Sequence, residues 1–119
     1  DGFGVYEGRV AFIEGKFLPE PKAFNWSRLE DHQLEWLKAF NLPSCITCVI
    51  IGVQFKRGDI RCFPYTIDEC EYRKINKISV TKKEFTEDPL YVKIEKGKID
   101  YSRIIEILDE KSRKTAWKS

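Results

Sequence analysis

The chain has 119 residues, 42% of them hydrophobic and 13% aromatic, enough for one compact domain with its own core and too few for two. Lysine and arginine (21) nearly balance aspartate and glutamate (19), so the formal charge of +2 does not by itself identify a polyanion binder and the local placement of charge must decide. No apolar run approaches the roughly 18 residues that span a bilayer, and with no secretory leader recognised the four cysteines are expected to be reduced thiols of a cytoplasmic protein rather than a disulfide framework. There is no methionine, and Asp1 already falls in a strand-like pattern, from which a further segment upstream is expected.

Residues 1–17 read as two extended segments around Glu7-Gly8, where glycine accepts the positive φ of a hairpin turn. A two-residue loop places Tyr6 opposite Arg9, Val5 opposite Val10, Phe3 opposite Phe12 and Asp1 opposite Glu14. A four-residue loop keeps that register, whereas a three-residue loop would flip the faces. One face then carries Val5, Val10, Phe3 and Phe12 and ends in Asp1, Glu14 and Lys16. The other carries Ala11, Ile13 and Phe17, as expected of a strand buried on both sides. Pro19 and Pro21 mark a loop. Ser27 with Glu30 reads as a capping box, predicting a helix from there to about Phe40 with Leu29, Trp36, Leu37 and Phe40 inward. Residues 45–55 form a buried strand, and Lys56, Arg57, Gly58 and Asp59 a turn into a partner strand over 60–63. Thr66 with Glu69 caps a helix to about Lys74. Residues 75–89 make a loop with one helical turn after Thr81, and residues 90–95 alternate like an edge strand. Asp100 or Ser102 caps a last helix that turns Ile104, Ile105, Ile107 and Leu108 inward and has a basic end.

The chemistry gathers at the first hairpin. Carboxylates directly opposite one another on one face of an antiparallel pair stand about 5 Å apart and repel, so Asp1 and Glu14 call for a compensating cation. Hard oxygen ligands suit magnesium or manganese. Lys16 follows Glu14 by two residues on the same strand face, where an ammonium can neutralise a phosphate oxygen or the charge developing on an attacking water. This is equipment for phosphodiester hydrolysis. A solvated Glu-x-Lys pair at a strand end is the plainer reading of the triplet taken alone. Gln33 puts an amide on the apolar stripe of the helix, where a buried amide requires partners. It either bonds to nearby backbone or faces the attacking water and scissile phosphate. His32, beside it, is a candidate phosphate contact.

Asp1, the glycine-containing hairpin, the apolar strand ending in Glu14-Gly15-Lys16, then Phe24 and a helix bearing Leu29 and His32-Gln33 together resemble the PD-(D/E)XK nuclease superfamily. Within it the chain is most similar to the RecU-type Holliday junction resolvases. Asp1-Gly2-Phe3-Gly4-Val5-Tyr6-Glu7-Gly8-Arg9 resembles their lead into the Glu-x-Lys motif. Cys48-Val49-Ile50-Ile51 before Cys62-Phe63-Pro64 resembles their later strand pair, and Ile99-Asp100-Tyr101 is similar to their ending. The resemblance covers most of the chain. It implies an α/β, restriction-endonuclease-like core with a mixed β-sheet flanked by helices. It also implies a magnesium-dependent endonuclease, with manganese as a possible substitute, working as a homodimer on branched DNA in recombination and repair. By the same resemblance Asp1, Glu14 and the Gly15 carbonyl hold the metal, Lys16 acts on the nucleophilic water and Gln33 assists at the phosphate. RecB-type nucleases carry a tyrosine four residues after the glutamine; Leu37 stands there, so that branch fits less well. The family's helix and stalk ahead of the aspartate have no counterpart in these residues.

Lys56, Arg57 and Arg61 around the second hairpin are candidate DNA contacts, as are the lysines from Lys74 to Lys83, although charge runs are usually solvated surface. Cys45 and Cys48 have zinc-ligand spacing, but residues three apart on a strand face opposite ways, and Cys62 and Cys70 supply no second close pair. Buried free thiols are the expectation. Two other functions compete with the resolvase: a non-catalytic DNA-binding module of the same fold, and a PD-(D/E)XK nuclease with another DNA substrate.

Overall fold

The computed structural model describes residues 2–6 and 8–114. Strand β1 (Gly2–Tyr6) turns back into β2 (Arg9–Leu18) with the register expected of the short loop: Tyr6 faces Arg9, Val5 faces Val10, Phe3 faces Phe12 and Gly2 faces Ile13. Gly8 supplies the turn with φ of 77°, a region that side chains with a Cβ avoid. Asp1, expected from the sequence to face Glu14, and Glu7 lie outside the described residues.

β2 pairs in parallel with β3 (Cys45–Lys56), and a parallel pair needs a crossover rather than a tight turn. The crossover is a single 3₁₀ turn (Trp26–Arg28) followed by helix α1 (Asp31–Ala39). β3 then turns at Gly58, φ 81°, into antiparallel β4 (Asp59–Thr66), and the two-residue β5 (Val92–Lys93) completes a five-stranded sheet in the order β1-β2-β3-β4-β5.

The strands' alternation divides the core. One face of the sheet buries Leu18, Val49, Ile51, Val53 and Phe63 against Leu34 and Leu37 of α1, Cys70 of α2 (Ile67–Ile75) and Phe85 of α3 (Lys82–Glu87). The other buries Ile46, Cys48, Ile50 and Cys62 beneath Ile104, Ile107 and Leu108 of α4 (Tyr101–Arg113). β3 contributes to both faces, which explains its unbroken apolar run. The result is a mixed α/β fold: a mixed sheet flanked by helices. No helix among the described residues is long and apolar enough to cross a membrane.

The remaining helices are fixed by local chemistry and by buried charge. The Thr66 hydroxyl accepts from the Glu69 N–H at 3.2 Å and starts α2, Thr81 and Glu84 make a capping box for α3, and Asp100 caps α4. Arg73 ties α2 to α3, donating to Glu69 at 3.0 Å and to Glu84 at 3.0 Å. Lys111 ties α4 to the sheet, donating to the Pro64 carbonyl at 2.6 Å while lying over the Tyr65 ring.

Three expectations need correction. The first helix does not begin at Ser27: Asn25 accepts from the Ser27 N–H and caps only the 3₁₀ turn, while Glu30 and Gln33 form the capping box that opens α1. Leu29 and Leu37 are buried as expected, but Trp36 is 49% exposed and Leu34 is buried instead. The strand expected over 90–95 shrinks to Val92–Lys93, with an isolated bridge from Glu95 to Lys98.

Candidate active site

Strand parity and the position of α1 bring Glu14, Lys16 and Gln33 together. Glu14 and Lys16 project from the face of β2 that α1 covers, in line with the buried Leu18 and the partly buried Phe12. The Lys16 ammonium sits 3.4 Å from Glu14 Oε2 and 3.3 Å from Gln33 Oε1. The cluster is shielded, the Glu14 residue being 8% exposed. A carboxylate so far out of water requires a compensating positive charge. Lys16 provides one, and its own shielding strengthens the attraction.

Gln33 has two roles at once. It is the third residue of α1, and its Oε1 also accepts from the Glu30 N–H at 3.0 Å, closing the capping box. Both the backbone amide and the lysine demand an acceptor, which fixes the orientation of the side-chain amide and leaves its NH₂ group to donate elsewhere. The helix terminus thus holds the amide rigid beside Lys16.

The backbone of β2 adds an oxygen on the side away from β3. The Lys16 carbonyl lies toward β3, 3.8 Å from where a Cβ on Gly52 would stand. The Phe17 carbonyl instead accepts from Arg28 at 3.3 Å. Carbonyls alternate along a strand, so the Gly15 carbonyl shares the side of Phe17, away from β3. That is the side on which β1 pairs, its described residues reaching Ile13, and Gly15 itself is exposed.

The other candidates lie apart from this cluster. The His32 side chain is 77% exposed, with Nδ1 3.9 Å from Glu30 Oε2. Lys56 and Arg57 are exposed at the β3–β4 turn. Ile51 is the β3 partner of Lys16, so Lys56 stands about 16 Å further along the sheet. Arg61 is committed elsewhere: it donates to both Asp59 oxygens, at 3.3 and 3.1 Å, and its guanidinium lies 4.1 Å from the centroid of Phe55 and 5.0 Å from that of Tyr91. These bonds from Arg61, with the field of Lys93, hold the Asp59 carboxyl below its ordinary value. Asp59 and Arg61 stand two apart on β4, so their pairing could have been read from strand parity alone.

All four cysteines are free, and no cluster of three or more His, Cys, Asp or Glu side chains forms among the described residues. The expected metal set does not need one, since it consists of two carboxylates and a carbonyl. Complete burial pushes the Cys48 thiol up to about 12. Sequence reasoning missed the aromatic group next to the cluster, where Phe12 stacks on Phe40 at 4.1 Å and Trp36 meets Phe12 edge-on at 5.3 Å. The alternation that put Phe12 on the face of Glu14 was the available signal. Neither family models nor curated proteins give a match to this sequence.

Proposed function

We propose that the protein is a divalent-cation-dependent DNA endonuclease with a restriction-endonuclease-like core, cutting branched DNA as a homodimeric junction resolvase in recombination and repair. The observation that carries this reading is the Lys16 ammonium held between the Glu14 carboxylate and the Gln33 amide. The donor set fits magnesium, or manganese in its place: a shielded carboxylate and the carbonyl of the exposed Gly15, with Asp1, which lies outside the described residues, expected from the sequence as a second carboxylate, all hard oxygen ligands. When bound, such a cation lowers the pKa of an attacking water and polarises the phosphoryl group.

The residues of the chain do the rest. Lys16 would donate to the oxygen of the attacking water or to a non-bridging phosphate oxygen, where negative charge builds in the transition state. The Gln33 NH₂, held by the helix cap, donates to the same phosphate and orients it for in-line attack. One water is consumed, one phosphorus–oxygen ester bond breaks, and a phosphomonoester and a hydroxyl result.

The intact chain should cut at least one of a four-way junction, a linear duplex and a single strand when magnesium is present and none when it is chelated. Lys16→Ala should lower the rate by at least about 100-fold, the loss typical of removing one transition-state donor. Preference for the junction supports resolvase action, while preference for linear duplex replaces it with another substrate of the same chemistry. Binding without cleavage, identical in Lys16→Ala, would leave a DNA-binding module in place of an enzyme.

A further inference from the structure

Arg28 is fastened to the strand that carries the candidate site. Its Nη2 donates to the Phe17 carbonyl at 3.3 Å, and its guanidinium lies 5.2 Å from the centroid of the buried Phe24 ring. Trp26 and Leu29, which flank it in the chain, are buried, so the 3₁₀ turn is anchored on both sides of Arg28 while Arg28 itself is exposed. The Gly15 carbonyl points to the same side of β2 as that of Phe17, two residues or about 6.6 Å away along the strand. The guanidinium is therefore within about 10 Å of the Gly15 oxygen. The same short segment ends in Gln33, which meets Lys16 from the covered face of the strand.

The charge of Arg28 is not neutralised. Arg61 pairs with Asp59, Arg73 with Glu69 and Glu84, and Arg103 with Glu106, whereas among the described residues no carboxylate lies within ion-pairing distance of Arg28. Its bond to Phe17 goes to an uncharged carbonyl and leaves further N–H donors of the planar fork unused. A surface arginine free to sweep through water loses much of that freedom when it grips a ligand. This one is already tied to the strand and laid on a ring, so less is lost, and its fork matches the oxygens of a phosphate.

Resting on the nuclease reading above, we infer that Arg28 binds the backbone phosphate next to the scissile one. With the scissile phosphate at Glu14, Gly15 and Lys16, the guanidinium stands one nucleotide step further along β2 and holds the DNA strand in register with the cluster. A contact of this kind orients the backbone and reads no base. Arg28 is a substrate-binding residue for the cleavage assigned to Glu14, Lys16 and Gln33.

The test uses the intact chain, magnesium, and whichever of the four-way junction, linear duplex and single strand the wild type cuts, once the cut is mapped. Two further versions of that DNA carry an uncharged methylphosphonate at the linkage on one or the other side of the cut. Arg28→Ala should raise KM for the unmodified DNA by roughly 10- to 100-fold and lower the slope of log KM against log salt by about 1. At one of the two flanking linkages the methylphosphonate should raise the wild-type KM by a similar factor and leave that of Arg28→Ala unchanged. Arg28→Lys should restore the salt slope and only part of the KM, because an ammonium keeps the charge without the planar fork. Matching melting curves for wild type and Arg28→Lys keep folding out of the comparison. Equal KM values for wild type and Arg28→Ala, or losses that multiply independently at both flanking linkages, would overturn the contact and leave the nuclease standing. No cleavage of any DNA by wild type would remove the nuclease reading and the contact with it.

Discussion

At the scale of single residues, Gln33 links stability to chemistry. Its Oε1 serves both the Glu30 N–H and Lys16, so Gln33→Ala should cost about 0.5–2 kcal/mol in urea denaturation, the usual range for a lost cap, and should also slow cleavage. Its place on the apolar stripe was legible in the sequence, but its cap was not, because the Ser27–Glu30 pattern matched the same rule and pointed three residues too early. Asp59 gives a pH prediction. Arg61 lowers its carboxyl below the ordinary 3.8, so the unfolded chain takes up the proton first. The stabilisation is complete above pH 3.8 and is lost as pH falls through the lower folded value. Asp59→Asn should therefore flatten the fall of Tm below pH 3.8 relative to wild type. Thiol chemistry gives a third: Cys45 is partly exposed, whereas Cys48, Cys62 and Cys70 are buried with their thiols pushed up. Iodoacetamide at pH 8 should label Cys45 first in the native protein and the other three only on unfolding, as read by mass spectrometry.

The elements were legible in proportion to how local their causes are. Glu7-Gly8 and the apolar alternation around it determined the first hairpin and its register, and the hydroxyls of Thr66 and Thr81 marked the starts of α2 and α3. The second hairpin likewise follows from Gly58, whose φ of 81° is strained for any side chain. Gly58→Ala should cost about 1–2 kcal/mol, measurable in denaturant, even though open space surrounds the position. The failures came from tertiary effects. Helical spacing could not tell that Leu34 rather than Trp36 would turn to the sheet, because both lie near the boundary of the stripe and the choice depends on where β2 runs beneath α1. The edge strand expected over 90–95 formed only where Val92 and Lys93 pair with β4. An edge strand has one partner to hold it, and propensity there is weak.

On the scale of the molecule, alternation along β3 places side chains in two cores, which makes it the strand on which both helical layers depend. Ile51, fully buried at its centre, should lose about 2–5 kcal/mol on truncation to alanine. That residues 45–55 were buried was plain from their composition; that they would lie parallel to β2 was not, since pairing across a crossover has no local signature. The same parallel pairing positions the candidate site, because it carries α1 over β2 and so brings Gln33, seventeen positions away in sequence, to Lys16. The central proposal is that Glu14 and the Gly15 carbonyl hold a divalent cation beside Lys16. Anomalous diffraction from crystals of the full chain soaked in manganese tests it most directly. A peak is expected within direct bonding distance of a Glu14 carboxylate oxygen and the Gly15 carbonyl, lost in Glu14→Gln. Strong peaks elsewhere, with none bonded to Glu14, would contradict it.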